Sequence, residues 1–220
     1  MSQQAARDRP IAEPVQPEAA SMGMPSLVAR SPEWAPEVDA RLARVGMRIW
    51  IVADVFFFAA WFFAYFYLRA LNNDNSWLPT GTTHPPRGPG AIIVALVVIS
   101  AGLCWAGARV VAVQPATARA FFWLALGAGI LAFAVQVYEF NRLGFWPQMG
   151  GGYPSVFTGL KCVWMAQLVG ALFWLATYIA QARPYRDAVI RPASAATFGN
   201  FMVFLAAIGL VSYVVLYFFV

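Results

Sequence analysis

The sequence predicts an all-α membrane protein, with five transmembrane helices in a bundle behind a polar N-terminal tail. Three observations carry that prediction. Of the 220 residues, 60% are hydrophobic and 11% are charged, against about 25% charged in an ordinary soluble domain. The apolar residues are gathered into five runs, each exceeding the roughly 20 residues that carry a helix across about 30 Å of hydrocarbon. None of the runs alternates polar and apolar residues, as the strands of a membrane β-barrel must. A helix satisfies its own backbone hydrogen bonds in lipid, so five runs of this kind read as five spanning helices.

Residues 1–45 are rich in Pro, Ala, Glu and Arg and read as a flexible tail, with at most a short surface helix near 35–44. The opening stretch, MSQQAARDRPIAEPVQPEAA, has no apolar segment behind its basic residues, so no signal peptide is expected. The transmembrane domain is placed at 46–220, with spans near 46–70, 90–113, 118–141, 157–182 and 197–220. NNDNSWLPTGTTHPPRGPG, between the first two spans, has the Asn, Pro and Gly content that stops a helix. QPAT is a tight turn that makes the second and third spans an antiparallel pair. FWPQMGGGYPS and RPYRDAVIRPAS join the remaining spans. The triple Gly at 150–152 follows no strand and reads as a flexible loop rather than a phosphate cradle.

Arginine sets the expected orientation. Arg7, Arg9, Arg30, Arg41, Arg44, Arg48, Arg109, Arg119, Arg183, Arg186 and Arg191 fall on one side, and only Arg69, Arg87 and Arg142 on the other. By the positive-inside rule the N-terminus is then cytoplasmic and the C-terminus outside. The net charge of +5 speaks to this topology and to lipid head groups. Nucleic acid is not an expected partner, because no basic cluster is interleaved with aromatics on a polar face.

Ionisable residues inside a bilayer are costly, by roughly 2.5–3.5 kcal/mol on insertion scales, and are therefore candidates for function. Asp54 sits in WIVADVFFFAAWFFAYFYLR, among six Phe, two Trp and two Tyr. It lies about 12 Å into the first span, with no basic residue one turn away. Two readings follow for it. It is a proton-exchanging or water-binding carboxyl, or it knits the bundle through a hydrogen bond to a neighbouring helix, with Gln167 the candidate partner. Glu139 and Lys161 come at similar depth on the third and fourth spans and are expected to approach each other, since pairing reduces the burial cost of both. Arg142, three residues beyond Glu139, is a competitor for the same carboxylate. The bland reading of this group is glue between helices.

Other features are expected to be structural. Trp50, Trp146 and Tyr153 suit interfacial belts. Phe56, Phe57 and Phe58 cover most of a helical turn and meet lipid or packing partners. Gly102 and Ala106 form a small-xxx-small pair that suggests a close helix contact. Cys104 and Cys162 lie in separate apolar spans, and no disulfide between them is expected. His84 is the only histidine, so the chain cannot supply the paired imidazoles of a haem site or the several of a copper site. No Ser-His-Asp set and no Cys/His metal constellation is present in the sequence.

Several of these stretches carry a resemblance. GMRIWIVADVFFFAAWFFAYFYLR resembles the opening helix of the conserved part of haem–copper oxidase subunit III, with Gly46, Asp54, Phe57, Phe58, Tyr65, Tyr67, Leu68 and Arg69 matching in order. QVYEF at 136–140 is similar to that family's Gln-x-Tyr-Glu-aromatic, which makes Glu139 its second intramembrane acid. VFTGL at 156–160 resembles its Phe-x-Thr-Gly approach to the next helix, and the closing VVLYFFV fits as well. The likeness covers about 46–220, the five-helix core of the family. The chain departs from the pattern in three places: Asp54 stands where Glu is usual, Lys161 and Trp164 stand where His pairs are frequent, and Gly199, Asn200 and Val203 replace a Trp-His-x-x-Asp pattern.

The resemblance implies a non-catalytic subunit III of a cytochrome c oxidase-type terminal oxidase in a bacterial plasma (inner) membrane. Such a subunit holds no redox centre, binds phospholipid in a cleft, and packs on the catalytic subunit I that carries haem and copper. It supports aerobic electron transport and sustained proton uptake. Two alternatives stand beside it. Relatives that accompany nitric oxide reductases tend to carry Asp at the position of Asp54. A small proton-coupled transporter or assembly factor using Asp54 and Glu139 is the third reading, although no internal repeat or broken helix of the transporter kind is visible.

Overall fold

The structure, a computed structural model, describes residues 36–72, 77–181 and 192–219. Five long helices make up almost all of it: α1 (Pro36–Ala70), α2 (Arg87–Val110), α3 (Pro115–Arg142), α4 (Gly152–Gln181) and α5 (Pro192–Phe218). The shortest has 24 residues, about 36 Å at 1.5 Å per residue, which is enough to cross the hydrocarbon. All five combine the length and apolarity of membrane spans. The chain is an integral membrane protein on that ground. No strand occurs among the described residues.

All five helices begin earlier than the apolar runs suggest, α2 at Arg87 rather than 90 and α3 at Pro115 rather than 118, and a proline stands at or near each start. α1 already includes Pro36, so the last ten residues assigned to the tail are helical. α5 already includes Pro192, five residues before 197. In α3, Pro115 directly follows the Gln114 cap, where a proline loses nothing because that N–H has no intrahelical partner anyway. α4 starts at Gly152 rather than 157, with Pro154 inside its first turn, where the missing donor is again harmless. Gly150 and Gly151 precede it at φ of 84° and 86°, a conformation that side chains rarely adopt. The rest of the proposed 1–45 tail and the loop with Arg183, Arg186 and Arg191 lie outside the described residues.

α2 and α3 form the tight antiparallel pair, turning through 111–114. α5 packs on α2, α4 and α1, and α4 packs on α3, α1 and α5. Of the other helices, α1 packs on α4 and α5. Burial follows this order: half of the apolar window of α5 is buried inside the bundle, but only 11% of that of α1. Phe56 is 72% exposed while Phe58, two residues on, is fully buried, so one face of α1 meets its neighbours and the other faces outward.

Close helix approaches use glycines other than the Gly102–Ala106 pair. Gly102 is exposed and a Cβ there would meet nothing within 4 Å. The contacts are at Gly129 against Leu172, Gly159 against Trp61, and Gly209 against Trp164. At one end of the bundle Trp77, from the α1–α2 loop, lies against Gly152, and its carbonyl accepts the Tyr153 N–H at 3.1 Å. Tyr153 is consequently not an interfacial belt residue. It is fully buried, packed edge-on against Trp77 and Phe145, and donates its hydroxyl to Leu216 O at 2.7 Å.

Candidate functional site

Two polar clusters interrupt the apolar interior, and both use α4. The first is centred on Asp54, midway along α1. Position 54 falls on the face that packs against α4, and the residue is only 9% exposed. Its Oδ1 accepts the Gln167 amide Nε2 from α4 at 3.2 Å. Its Oδ2 accepts the indole Nε1 of Trp50 at 3.1 Å, from one turn earlier on the same helix. Trp50 therefore belongs to this cluster, a role its sequence position at the membrane edge did not suggest. The Gln167 Oε1 has no hydrogen-bond partner. An amide presents either its NH₂ or its oxygen to a carboxyl, so Gln167 can serve Asp54 as donor when the acid is ionised and as acceptor when it is neutral.

The second cluster joins α3, α4 and α5. Glu139 is 1% exposed, Gln136 is fully buried, and Lys161 is 5% exposed. Lys161 Nζ lies 3.2 Å from Glu139 Oε2 and also donates to Gln136 Oε1 at 3.1 Å. Gln136 Nε2 closes the triangle with a 2.8 Å bond to the same Glu139 oxygen. The other carboxylate oxygen accepts the Tyr217 hydroxyl from the last turn of α5. Lys161 sits 5.1 Å from the Tyr217 ring centroid and 5.7 Å from that of Phe157, so its ammonium is bounded by π-faces on the apolar side. Each oxygen of the acid thus has a donor. This is the condition under which a buried ion pair is tolerated.

Arg142 is not part of this arrangement. Its guanidinium lies over the Tyr138 ring, 5.4 Å from the centroid, while the Glu139 carboxylate is held by Lys161, Gln136 and Tyr217. The helical step explains the separation. Tyr138 is exposed and Glu139 buried, so adjacent positions point to lipid and to core, and Arg142 follows the former.

Gln136 and Tyr217 are the members that sequence reasoning missed. Gln136 had a signal, being a polar residue in an apolar run three positions before Glu139, on the same helix face. Tyr217 had none, since its role depends on where the end of α5 comes to rest. The two clusters are distinct: Lys161 and Gln167 are six residues apart on α4, about 9 Å along the axis, and they face different neighbours. Asp54 is served by neutral donors, whereas Glu139 is served by a cation.

No family model and no curated protein matches the chain.

Proposed function

We propose that this chain is the non-catalytic subunit III of a haem–copper terminal oxidase, oriented with its N-terminus in the cytoplasm of a bacterial plasma (inner) membrane. One observation carries the reading: the acid that the resemblance singles out on the first core helix, Asp54, is buried on the face toward α4 and held there by Gln167. A lipid-facing acid would have had no place in that scheme. The second acid in the resemblance, Glu139, is also buried and fully partnered. The five-helix architecture and the excess of arginine on the N-terminal side support the same reading.

In this role the chain contributes no redox chemistry. Haem and copper belong to subunit I, and this subunit supplies a lipid-binding helical surface and a buried carboxyl that supports sustained proton uptake. Anionic phospholipid suits the basic side. The presence of Asp rather than Glu at position 54 favours a second reading, the accessory subunit of a nitric oxide reductase.

Purification of the tagged chain in gentle detergent, with a haem spectrum and mass spectrometry of the co-purifying proteins, tests the proposal. A haem-bearing catalytic subunit is expected, and consumption of oxygen or of nitric oxide then assigns the complex. A colourless chain that comes out alone, while other respiratory complexes stay intact, overturns both readings and favours transport chemistry at Asp54 and Glu139.

A further inference from the structure

A small cavity of about 10 Å³ lies where α2, α4 and α5 meet, walled by Ile93, Leu160 and Trp164 and carrying Lys161 and Ser212 in its lining. The polar groups around it are unevenly satisfied. Trp164 Nε1 is committed to Leu205 O at 3.0 Å, and the Tyr213 hydroxyl to Arg87 O at 3.2 Å. Ser212 is 5% exposed, yet its Oγ has no hydrogen-bond partner. A serine within a helix can donate to the carbonyl four residues back. Thr197, on the same helix, does so to Ala193 O at 2.7 Å. Ser212 does not. An ammonium carries three donors, and the hydrogen bonds of Lys161 to Gln136 and Glu139 account for two.

We propose that this cavity is a binding site for one water molecule, held between Lys161 Nζ and Ser212 Oγ. The water accepts the third N–H of Lys161 and hydrogen-bonds the serine hydroxyl. Its size suits a water, since about 10 Å³ is room for one. Its chemistry decides that it is filled: apolar cavities stay dry, but a cavity lined by a cation and an unpartnered hydroxyl offers the partners a buried water requires. The Lys161–Glu139 pair is then hydrated on its α5 side, and Ser212 joins the polar cluster through the solvent molecule. The inference does not depend on which complex the chain serves.

A crystal structure of the full chain grown from a lipidic mesophase, at a resolution that shows ordered water, tests this. A single peak within about 2.7–3.2 Å of both Lys161 Nζ and Ser212 Oγ is expected, and it should vanish in Ser212→Val, whose extra methyl fills the space. An empty cavity in a map that shows other buried waters overturns the proposal. So does a Ser212 hydroxyl donating to Ile208 O, or a peak that survives in Ser212→Val. Should that variant fail to fold, the wild-type map alone decides.

Discussion

The indole of Trp164 fills the space that a side chain at position 209 would occupy: a Cβ on Gly209 would lie 2.8 Å from Trp164 Cζ2. The same ring donates to Leu205 O one turn earlier, so α4 is locked to α5 by a shape and a hydrogen bond together. Gly209→Ala should therefore cost about 1–3 kcal/mol, the usual range for overpacking. At Gly129 the nearest atom to such a Cβ is the terminal Cδ2 of Leu172, with the next at 3.4 Å. A leucine methyl moves aside more easily than a bonded indole, so Gly129→Ala should cost less. Gly102→Ala should be neutral within about 0.5 kcal/mol. Unfolding midpoints in mixed micelles give the order, and equal costs at 209 and 102 would refute the lock.

The buried pair predicts non-additivity. Lys161→Met alone leaves Glu139 buried with its cation gone, and Glu139→Gln alone strands Lys161. Each should destabilise by about 3–5 kcal/mol. The double variant should lose less than the sum, because no uncompensated charge remains. A double-mutant cycle on unfolding free energies reads this directly. Additive losses would mean that the two side chains do not share one polar cluster.

Asp54 and Gln167 bond across helices at neutral donor strength, for which membrane proteins show about 0.6 kcal/mol on average and about 1.7 at most. Gln167→Leu should fall in that range. Asp54→Asn should be close to wild type in stability, since an amide still accepts from Trp50 or Gln167. Within an oxidase complex, Asp54→Ala should leave haem content intact and shorten the catalytic lifetime during turnover. A lifetime unchanged in Asp54→Ala would confine this residue to holding helices together.

Two tyrosines donate to backbone carbonyls at the end of α5 and just beyond it. Tyr65 bonds Phe219 O at 2.8 Å and Tyr153 bonds Leu216 O at 2.7 Å. Tyr65→Phe and Tyr153→Phe should each cost about 0.5–1.5 kcal/mol. Hydrogen exchange should quicken over residues 213–219 while α2 is unchanged. Uniform exchange throughout the bundle would argue against a local cap.

The sequence made the spans legible because length and apolarity are set by hydrocarbon thickness, which needs no knowledge of neighbours. It also brought Asp54 toward Gln167 and Glu139 toward Lys161, since depth can be counted along each helix and antiparallel partners match in depth. Direction around each helix was the part that depth could not supply. Arg142 sits one turn from Glu139 yet turns to Tyr138, and Tyr153, at a helix end where belts occur, is covered by Trp77. Which glycine meets which ring, as at Gly209 and not Gly102, likewise depends on helix rotation. The helix starts were obscured because proline reads as a breaker in general but is well suited to a first turn.

The placement of α1 has a consequence for how the protein is made. α1 is the first of these helices to leave the ribosome, yet the helices it rests on, α4 and α5, are the last. Gln167 follows Asp54 by 113 residues, an interval of roughly 6–23 s at about 5–20 residues per second. During that time α2 and α3 can pair as a hairpin, while α1 has no partner within the chain and its carboxyl has only Trp50 to meet. Assembly must therefore close from the end back to the beginning, and a chain stalled before α4 would leave an acid-bearing helix unpaired in the bilayer, a ready mark for quality-control proteolysis.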